Sequence, residues 1–379
     1  MNYKFFILGI SNGGLFLARQ LRKAWPECVI YGFGDPKKDI GRYSNVINGF
    51  YPIISPESIY QIVLQAYNDI GAGQVKAYIC SNSLLETTVT KASEIFDFLE
   101  FDNTLEVYQQ LVDKTMTDKL CKHLNINRPK GFSFEKDAMD DIIYPVVVKP
   151  LEKSLTIGAQ KCAFIADKAT LMSYLEKLDS LGIQRSHLIC QQCVRGDNRW
   201  EYGYGGYFKN GEPLVDVFFY QFIQVPQGLC CYTREILDKT LQKNILSIVQ
   251  PILKETNYCG VIEFDLKQDE NTKEMYLLDI NPRPWRSVDM LVGKISKGTI
   301  FNPVMSDLNV VWRYPTREIS NRTNPKNTPY KICKTISKSK GREEKVVISL
   351  FDIYDIKPFL MQLLFDCKMI FEHLLKKLM

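Results

Sequence analysis

Through about residue 105 the chain alternates between short apolar runs and stretches with helical periodicity, and that alternation leaves few folds open. Tyr3 to Gly9 is an apolar run. It gives way to the turn Gly9-x-Ser11-x-Gly13-Gly14, and LFLARQLRKAW follows with apolar residues spaced for one helix face. Cys28 to Phe33 is a second run, ending in Gly34-Asp35. SPESIYQIVLQAYNDI then reads as helix, VKAYICS as strand and LLETTVTKASEIFDFL as helix. Parallel strands need a crossover and a helix supplies it, so this repetition predicts a parallel, Rossmann-like sheet. The glycines allow a tight bend and close helix–strand contact. Gly13 and Gly14 would also let backbone N–H groups approach a phosphate. The spacing only approximates a dinucleotide fingerprint, so NAD binding stands as an alternative.

Beyond residue 105 the pattern changes. LEVYQQLVDKTMTDKLCKHLNI reads as helical, closed by Arg128-Pro129. YPVVVKP is a β-branched strand carrying a lysine at its end, and EKSLTIGAQKCAFI is a loop and return strand. HLICQQCV is a strand. RGDNRWEYGYGGYFKNGEPL is a strand pair turning at Asn210-Gly211, and GVIEFDLKQDENTKEMYLLDIN is a hairpin with a charged turn. An α/β opening is thus followed by an antiparallel α+β region, which places a domain boundary near residue 105. At 379 residues the chain has room for two or three domains.

The net charge of +5 is mild and carries no concentrated basic face of the nucleic-acid-binding kind, so no nucleic acid is expected as partner. The charge is uneven, however. From Arg313 to Lys345 ten Lys/Arg face three Glu, a local +7 that leaves −2 for the remainder. A solvated loop is the plain expectation for this block. An anionic lipid, a diphosphate-linked substrate or an acidic partner are the alternatives. The last twenty residues read as an amphipathic helix with Lys376 and Lys377 near its end, suited to docking on the protein or, with the basic block, to a membrane surface. MNYKFFILGISNGG reads as a buried strand and turn, not a secretory leader, and no apolar run reaches the ~18 residues of a spanning helix. Eleven cysteines without a framework spacing point to free thiols in a reducing cytoplasm. Cys190-Gln-Gln-Cys193 has the C-x-x-C form but lacks a second pair at zinc-finger spacing, and buried structural cysteines are the simpler reading.

The chemistry concentrates in the last hairpin. Glu263 and Asp265 are two apart and project from one face of a strand, as do Asp279 and Asn281 on the next. Paired across the turn, these hard oxygen donors suit Mg²⁺ or Mn²⁺ and disfavour zinc. A solvated acidic face accounts for Asp269, Glu270 and Glu274 but not for Asp279, which sits between MYLL and Ile280 and needs a partner. Lys149 closes the VVV strand, and Lys114 opens a helix after Asp113. Ser154, Thr156 and Gly158 in the loop after Lys149 are small groups able to close over phosphates. Alone each lysine reads as an edge guard. With the acid–acid–Asn cluster they outline a nucleoside triphosphate site.

Five motifs in order carry a resemblance: DKTMTDKLCKHLNINRPKGF, YPVVVKP with its loop, LICQQCVRGDN, GVIEFD and LLDINPR. Over roughly residues 1 to 300 the chain resembles the ATP-grasp superfamily, that of biotin carboxylase, carbamoyl-phosphate synthetase and D-alanine–D-alanine ligase. The resemblance implies a Rossmann-like pre-ATP-grasp domain (1–105), a two-subdomain ATP-grasp domain (106–300, its lid about 132–190) and a basic C-terminal extension (301–379). It implies that Lys114 and Lys149 hold ATP phosphates under a lid at 154–159. Gln191 to Val194 would contact adenine, and Glu201, or alternatively Asp197, the ribose. Glu263, Asp279 and Asn281 would ligate Mg²⁺ or Mn²⁺, and Arg283 would face the transferred phosphoryl group. Trp285 and Arg286 are candidates for acceptor binding, with packing the alternative for Trp285. The departures are Asp279 where glutamate is commoner and a lid with one glycine.

The implied activity is phosphorylation of a carboxylate to an acyl phosphate and its capture by an amine, with small-molecule acid and amine as partners. Two alternatives stay open. One is an NAD-dependent oxidoreductase built on the glycine turn, which leaves the 263–286 cluster unexplained. The other is a non-catalytic nucleotide-binding protein.

Overall fold

A computed structural model describes residues 3–71, 73–132, 134, 141–150, 162–224, 230–315, 318 and 343–378, with backbone only for 222–224 and 369–378. The first part runs β1 (Lys4–Leu8), α1 (Asn12–Ala24), β2 (Val29–Gly34), β3 (Gly49–Pro52), α2 (Ile59–Asp69), β4 (Val75–Ile79) and α3 (Asn82–Lys91). Its strands form one parallel sheet in the order β3-β2-β1-β4, as the alternating pattern predicts. α3 is shorter than expected: it stops at Lys91, and Ser93–Asp97 is a separate 3-10 turn.

The single helix expected after residue 105 is two, α4 (Leu105–Val112) and α5 (Lys114–His123). Asp113 breaks it by adopting extended backbone and accepting from the Thr115 and Met116 N–H groups at 2.7 and 2.9 Å. An aspartate competes for free helix-end donors better than it continues a helix. This break is what makes Lys114 the first residue of α5.

A second, four-stranded sheet of β5 (Gly131–Phe132), β6 (Val146–Pro150), β7 (Ala163–Ile165) and β8 (Leu188–Gln192) has the order β5-β8-β6-β7, with α6 (Lys168–Ser180) between its last two strands in sequence. It has a core of its own, in which Val146, Val148 and Cys190 meet Leu171 and Leu175 of α6. The largest sheet contains β9 (Glu201–Lys209), β10 (Glu212–Gln224), β11 (Cys230–Glu235), then, after α7 (Lys239–Glu255), β12 (Gly260–Gln268) and β13 (Met275–Asn281). A short helix α8 (Met290–Gly293) and the small pair β14 (Ile295–Lys297) and β15 (Val304–Met305) follow. β16 (Asn309–Arg313) and β17 (Glu344–Ile348) complete the sheet in the order β13-β12-β9-β10-β11-β16-β17. The chain's last element is α9 (Lys357–Leu378). The expected Asn210-Gly211 turn joins β9 to β10 with both residues at positive φ, the requirement of a two-residue hairpin of this kind.

The first and the largest sheets share one apolar core. Phe5, Ile7 and Leu17 pack in the same cluster as Val217, Phe219 and Trp285. Asn103 adds two hydrogen bonds to the Cys259 backbone, at 2.6 and 2.9 Å. The change of pattern near residue 105 therefore marks a change of topology within a continuous core.

The glycines of the first turn have packing duties. A Cβ on Gly14 would lie 2.1 Å from the Gly9 carbonyl oxygen, and one on Gly13 2.8 Å from Cβ of Pro284. Gly14→Ala is expected to cost about 1–3 kcal/mol, because helix and strand would have to separate. A denaturant midpoint equal to that of the unsubstituted chain would contradict this account of the turn.

Candidate functional site

The β12–β13 hairpin is pinned at its turn by Asp269, whose carboxylate accepts from the Asn271 and Thr272 N–H groups at 2.9 and 3.0 Å. This fixes a register that sets Glu263 opposite Asn281 and Asp265 opposite Asp279. The register slips by one residue between the Asp265–Asp279 and Leu266–Leu277 pairs. The extra residue, Leu278, is the reason an acid can follow MYLL. On the turn side of it Met275 and Leu277 enter the core, while past it Ile280 does so and Asp279 and Asn281 are turned to the other face.

That face looks into a cavity of about 530 Å³ whose walls come from all three sheets. Glu263, Asp265, Asp279, Asn281 and Arg283 line it from the hairpin and the residues just past it. Lys149 lines it from β6, Lys114 from α5, and Ser81 and Asn82 from the start of α3. The expected phosphate lysines, ligand residues and arginine thus border one space. Lys114 also donates to the Pro150 carbonyl at 2.8 Å, tying α5 to the end of β6.

Asn281 is the centre of the ligand wall. Its amide nitrogen donates to Glu263 at 3.3 Å and to Asp265 at 3.1 Å. Gln221 of β10 donates to the other oxygen of Asp265 at 2.6 Å. Two carboxylates and an amide oxygen-bearing side chain therefore meet at one point, and the donors are all hard, as a small divalent cation requires. Among the described residues no three His, Cys, Asp or Glu side chains form a ready-made metal cage. Such a set fits a cation that takes few protein ligands and completes its shell with phosphate oxygens and water.

Among the described residues Arg283 is held in a fixed direction by neutral acceptors. Its guanidinium donates to the Asn82 and Asn281 side-chain oxygens, the latter at 3.2 Å, and to the Pro284 carbonyl at 2.7 Å. Among the described residues no carboxylate lies within ion-pair distance of it, and it borders the cavity. One of these contacts lay beyond sequence reasoning: Asn82 is 201 residues away in sequence, and nothing in its neighbourhood marks it.

The floor of the cavity is aromatic. Glu201, Gly203 and Gly205 alternate along one face of β9, and Cβ atoms on the two glycines would strike the rings of Phe219 and Trp285. Those rings stack at 6.0 Å and 4°. Trp285 is buried, with its indole N–H donating to Ser287 at 3.0 Å, so it packs in the core while also bordering the cavity. Arg286 lines the cavity. Gly13 and the neighbouring Ser11 and Asn12 also line it, with Gly13 seated against Pro284.

Other expected residues stand apart from the cavity wall. Glu201 pairs with Lys267 at 3.2 Å, on the same sheet face as Asp265 but farther along. Gln191 and Val194 are buried in and just after β8, where Cys193 N–H bonds to the Pro145 carbonyl and Arg195 N–H reaches Asp269 at 3.4 Å. This segment joins the four-stranded sheet to the ligand hairpin. Asp197 caps a 3-10 turn and pairs with Arg199 at 2.9 Å, which commits it to that turn. Ser154, Thr156 and Gly158 lie outside the described residues. Burial pushes the Cys190 thiol up to about 11 and raises Cys193 as well, and both are unpaired as disulfides. Cys80 and Cys230 border the cavity, and burial raises each of these thiols also, with Arg283 pulling Cys80 partly back. Neutral thiols are poor nucleophiles, which disfavours Cys80 and Cys230 in that role.

No protein-family model matches the chain. It is 24% identical over 191 residues to the C-terminal section of the carbamoyl phosphate synthase large chain of Methanopyrus kandleri, a match covering 48% of this chain and 34% of that one. It is 23% identical over 227 residues to the D-alanine–D-alanine ligase of Polaromonas naphthalenivorans, covering 54% of this chain and 66% of the ligase. The chain therefore spans less than two thirds of the length of either relative. Among solved structures, an N5-carboxyaminoimidazole ribonucleotide synthetase in its ADP complex superposes with a TM-score of 0.64 at 10% identity, over 82% of this chain and 81% of that one. The biotin carboxylase domain of Hydrogenobacter thermophilus 2-oxoglutarate carboxylase, solved with MgADP and bicarbonate, gives 0.61 at 13% identity, over 79% and 68%. At these identities the structural likeness is one of fold. The curated relatives and the solved neighbours all point to the same superfamily, and the fold of this chain is that of the ATP-grasp ligases.

Proposed function

We propose that this chain is an ATP-dependent ligase that phosphorylates a carboxylate and couples the resulting acyl group to an amine, releasing ADP and phosphate. The observation that carries this reading is one cavity bordered by two lysines, three carboxylates and two arginines drawn from separate parts of the chain. Lys114 and Lys149 hold the nucleotide phosphates. Glu263, Asp279 and Asn281, joined by Asp265, hold Mg²⁺ or Mn²⁺. A bound Mg²⁺ supplies charge neutralisation on the phosphates and orients them. Gln191, Val194 and Glu201 lie along the path from the ligand hairpin to the four-stranded sheet, which suits the base and ribose of the same nucleotide. The 154–159 loop is the proposed lid. A neighbour of this fold solved with MgADP and bicarbonate supports a magnesium nucleotide and a small acid as ligands.

The chemistry follows from the charges. A carboxylate is a poor acylating agent because oxide is a poor leaving group. Its oxygen attacks the γ-phosphorus, the bond to the bridging oxygen breaks, and ADP departs. The amine nitrogen then attacks the acyl carbon, gives up a proton, and phosphate leaves with the former carboxylate oxygen. Arg283, fixed by neutral acceptors, stabilises the negative charge spread over the phosphoryl group in flight. Positioning supplies most of the rest. In this reading residues 1–105 form a pre-ATP-grasp wall, 106–300 the ATP-grasp domain with its lid at about 132–190, and 301–379 an extension. The separate core of the four-stranded sheet supports a lid that moves as a unit. The free cysteines suit a reducing, cytoplasmic setting.

Lys149→Ala, Asp279→Ala and Asn281→Ala are each expected to lower Mg²⁺-dependent ADP release by at least about 100-fold with an unchanged circular dichroism spectrum. The assay is a screen of carboxylates and amines in pairs, with the unsubstituted chain alongside. Retained turnover in any two of the three variants would refute the site. Gln221→Leu leaves Asp265 without its 2.6 Å donor. It is expected to raise the Mg²⁺ concentration needed for half-maximal ADP release by about 10-fold, and an unshifted Mg²⁺ titration would contradict that role.

A further inference from the structure

Arg283 is mounted on one part of the chain and aimed by another. Its backbone lies between Pro282 and Pro284, whose rings fix φ on either side of it, and its N–H donates to the Asn281 carbonyl at 2.8 Å. The side chain is long and rich in rotamers, so a rigid backbone does not by itself direct the guanidinium. Among the described residues the guanidinium donates to the Asn82 amide oxygen through Nε, to the Pro284 carbonyl through one terminal nitrogen and to the Asn281 amide oxygen through the other. Each terminal nitrogen carries a second N–H, which these bonds leave for a ligand.

Asn82 stands on a rigid support. It is the first residue of α3, at the place where the order β3-β2-β1-β4 reverses direction between β1 and β4. A Cβ on Gly9, just past β1, would lie 2.5 Å from Cβ of Ser81, so the two strand ends touch. The Leu85 N–H closes the first turn of α3 on the Ser81 carbonyl at 2.9 Å, and Leu84 and Leu85 are buried in the core of the first sheet. Asn82 itself borders the cavity. Of the two amides that hold Arg283, Asn281 belongs to the proposed ligand set, and its oxygen is an atom that a bound cation would take. Asn82 comes from the first sheet and lies outside that set, so its hold on the arginine has no such competitor.

We propose that Asn82 is a positioning residue for phosphoryl transfer, and that its neutrality is the property the step requires. The inference rests on the nucleotide reading of the cavity. An amide oxygen accepts the Nε–H and holds the guanidinium in place while leaving its charge to act elsewhere. A carboxylate at the same position would hold it more firmly, through a charge-assisted bond, and would cancel the charge that the moving phosphoryl group needs. Asparagine and aspartate have nearly the same shape. Position 82 therefore separates two things that are otherwise lost together: the direction of the arginine and the availability of its charge.

The test is calorimetric titration of the full chain with MgADP, with and without aluminium fluoride, which beside ADP mimics the phosphoryl group in flight. In the unsubstituted chain the fluoride complex is expected to tighten MgADP binding. Asn82→Ala is expected to reduce that gain at least about 10-fold while the affinity for MgADP alone and the thermal midpoint stay unchanged. Asn82→Asp is expected to reduce it by a similar factor although Arg283 remains held. An undiminished gain in either variant would overturn the proposal. So would a gain lost in Asn82→Ala together with MgADP affinity or thermal midpoint, since the role of Asn82 would then be structural. MgADP binding with no gain in the unsubstituted chain would overturn this inference and leave the nucleotide reading intact. No MgADP binding at all would remove that reading and this inference with it.

Discussion

The arrangement rests on a repulsion. Asp265 and Asp279 face each other directly across β12 and β13, and Glu263 lies on the same face two residues along. Like charges at opposed positions of a strand pair destabilise it. Asn281 and Gln221 satisfy hydrogen bonds of these carboxylates but bring no positive charge. Around this acidic wall the fold assembles cations from distant segments: Lys114 from α5, Lys149 from β6, and Arg283 and Arg286 just past β13. In the proposed function, a divalent cation on the acids and nucleotide phosphates at the lysines would complete the balance.

The wall opposite the acids comes from the first sheet, which is why a shared core between the two sheets matters for function. Phe219 and Trp285 belong both to the cavity lining and to the apolar cluster that holds α1. Gly13 allows Pro284 to sit against α1, and Asn82 fixes the direction of Arg283. The arginine proposed to meet the moving phosphoryl group is therefore aimed by a segment 201 residues away from it in sequence.

Much of this was legible in the sequence, and for identifiable reasons. Alternating strands and helices announced the parallel sheet, and β-branched runs with an Asn-Gly turn announced the hairpins. The candidate ligands were visible as acids set two apart in apolar surroundings, and they do border one cavity with both lysines and Arg283. What escaped was what tertiary contact decides. The bulge at Leu278 turns Asp279 away from the core and leaves no mark in the residue pattern. Asp265, recognised as part of the cluster but left out of the ligand set, shares Asn281 with Glu263 because of register. The helix break at Asp113 was hidden because LEVYQQLV and KTMTDKLC keep compatible periodicity across it. The packing duties of the glycine turn were hidden because Gly-rich turns serve packing and ligand approach with the same residues. Trp285 was undecided in the sequence, and a glycine of β9 that makes room for its ring gives it a packing role beside its place in the cavity lining.

The most direct test of the central claim is calorimetric titration of the chain with ADP in the presence and absence of Mg²⁺. If the acidic wall and the lysines form one magnesium-nucleotide site, binding will be strong with Mg²⁺ and weakened when EDTA removes it. It will also be lost in Asn281→Ala, which removes the side chain shared by Glu263 and Asp265. Absence of ADP binding under both conditions, or binding indifferent to Mg²⁺ and to Asn281, would contradict the account.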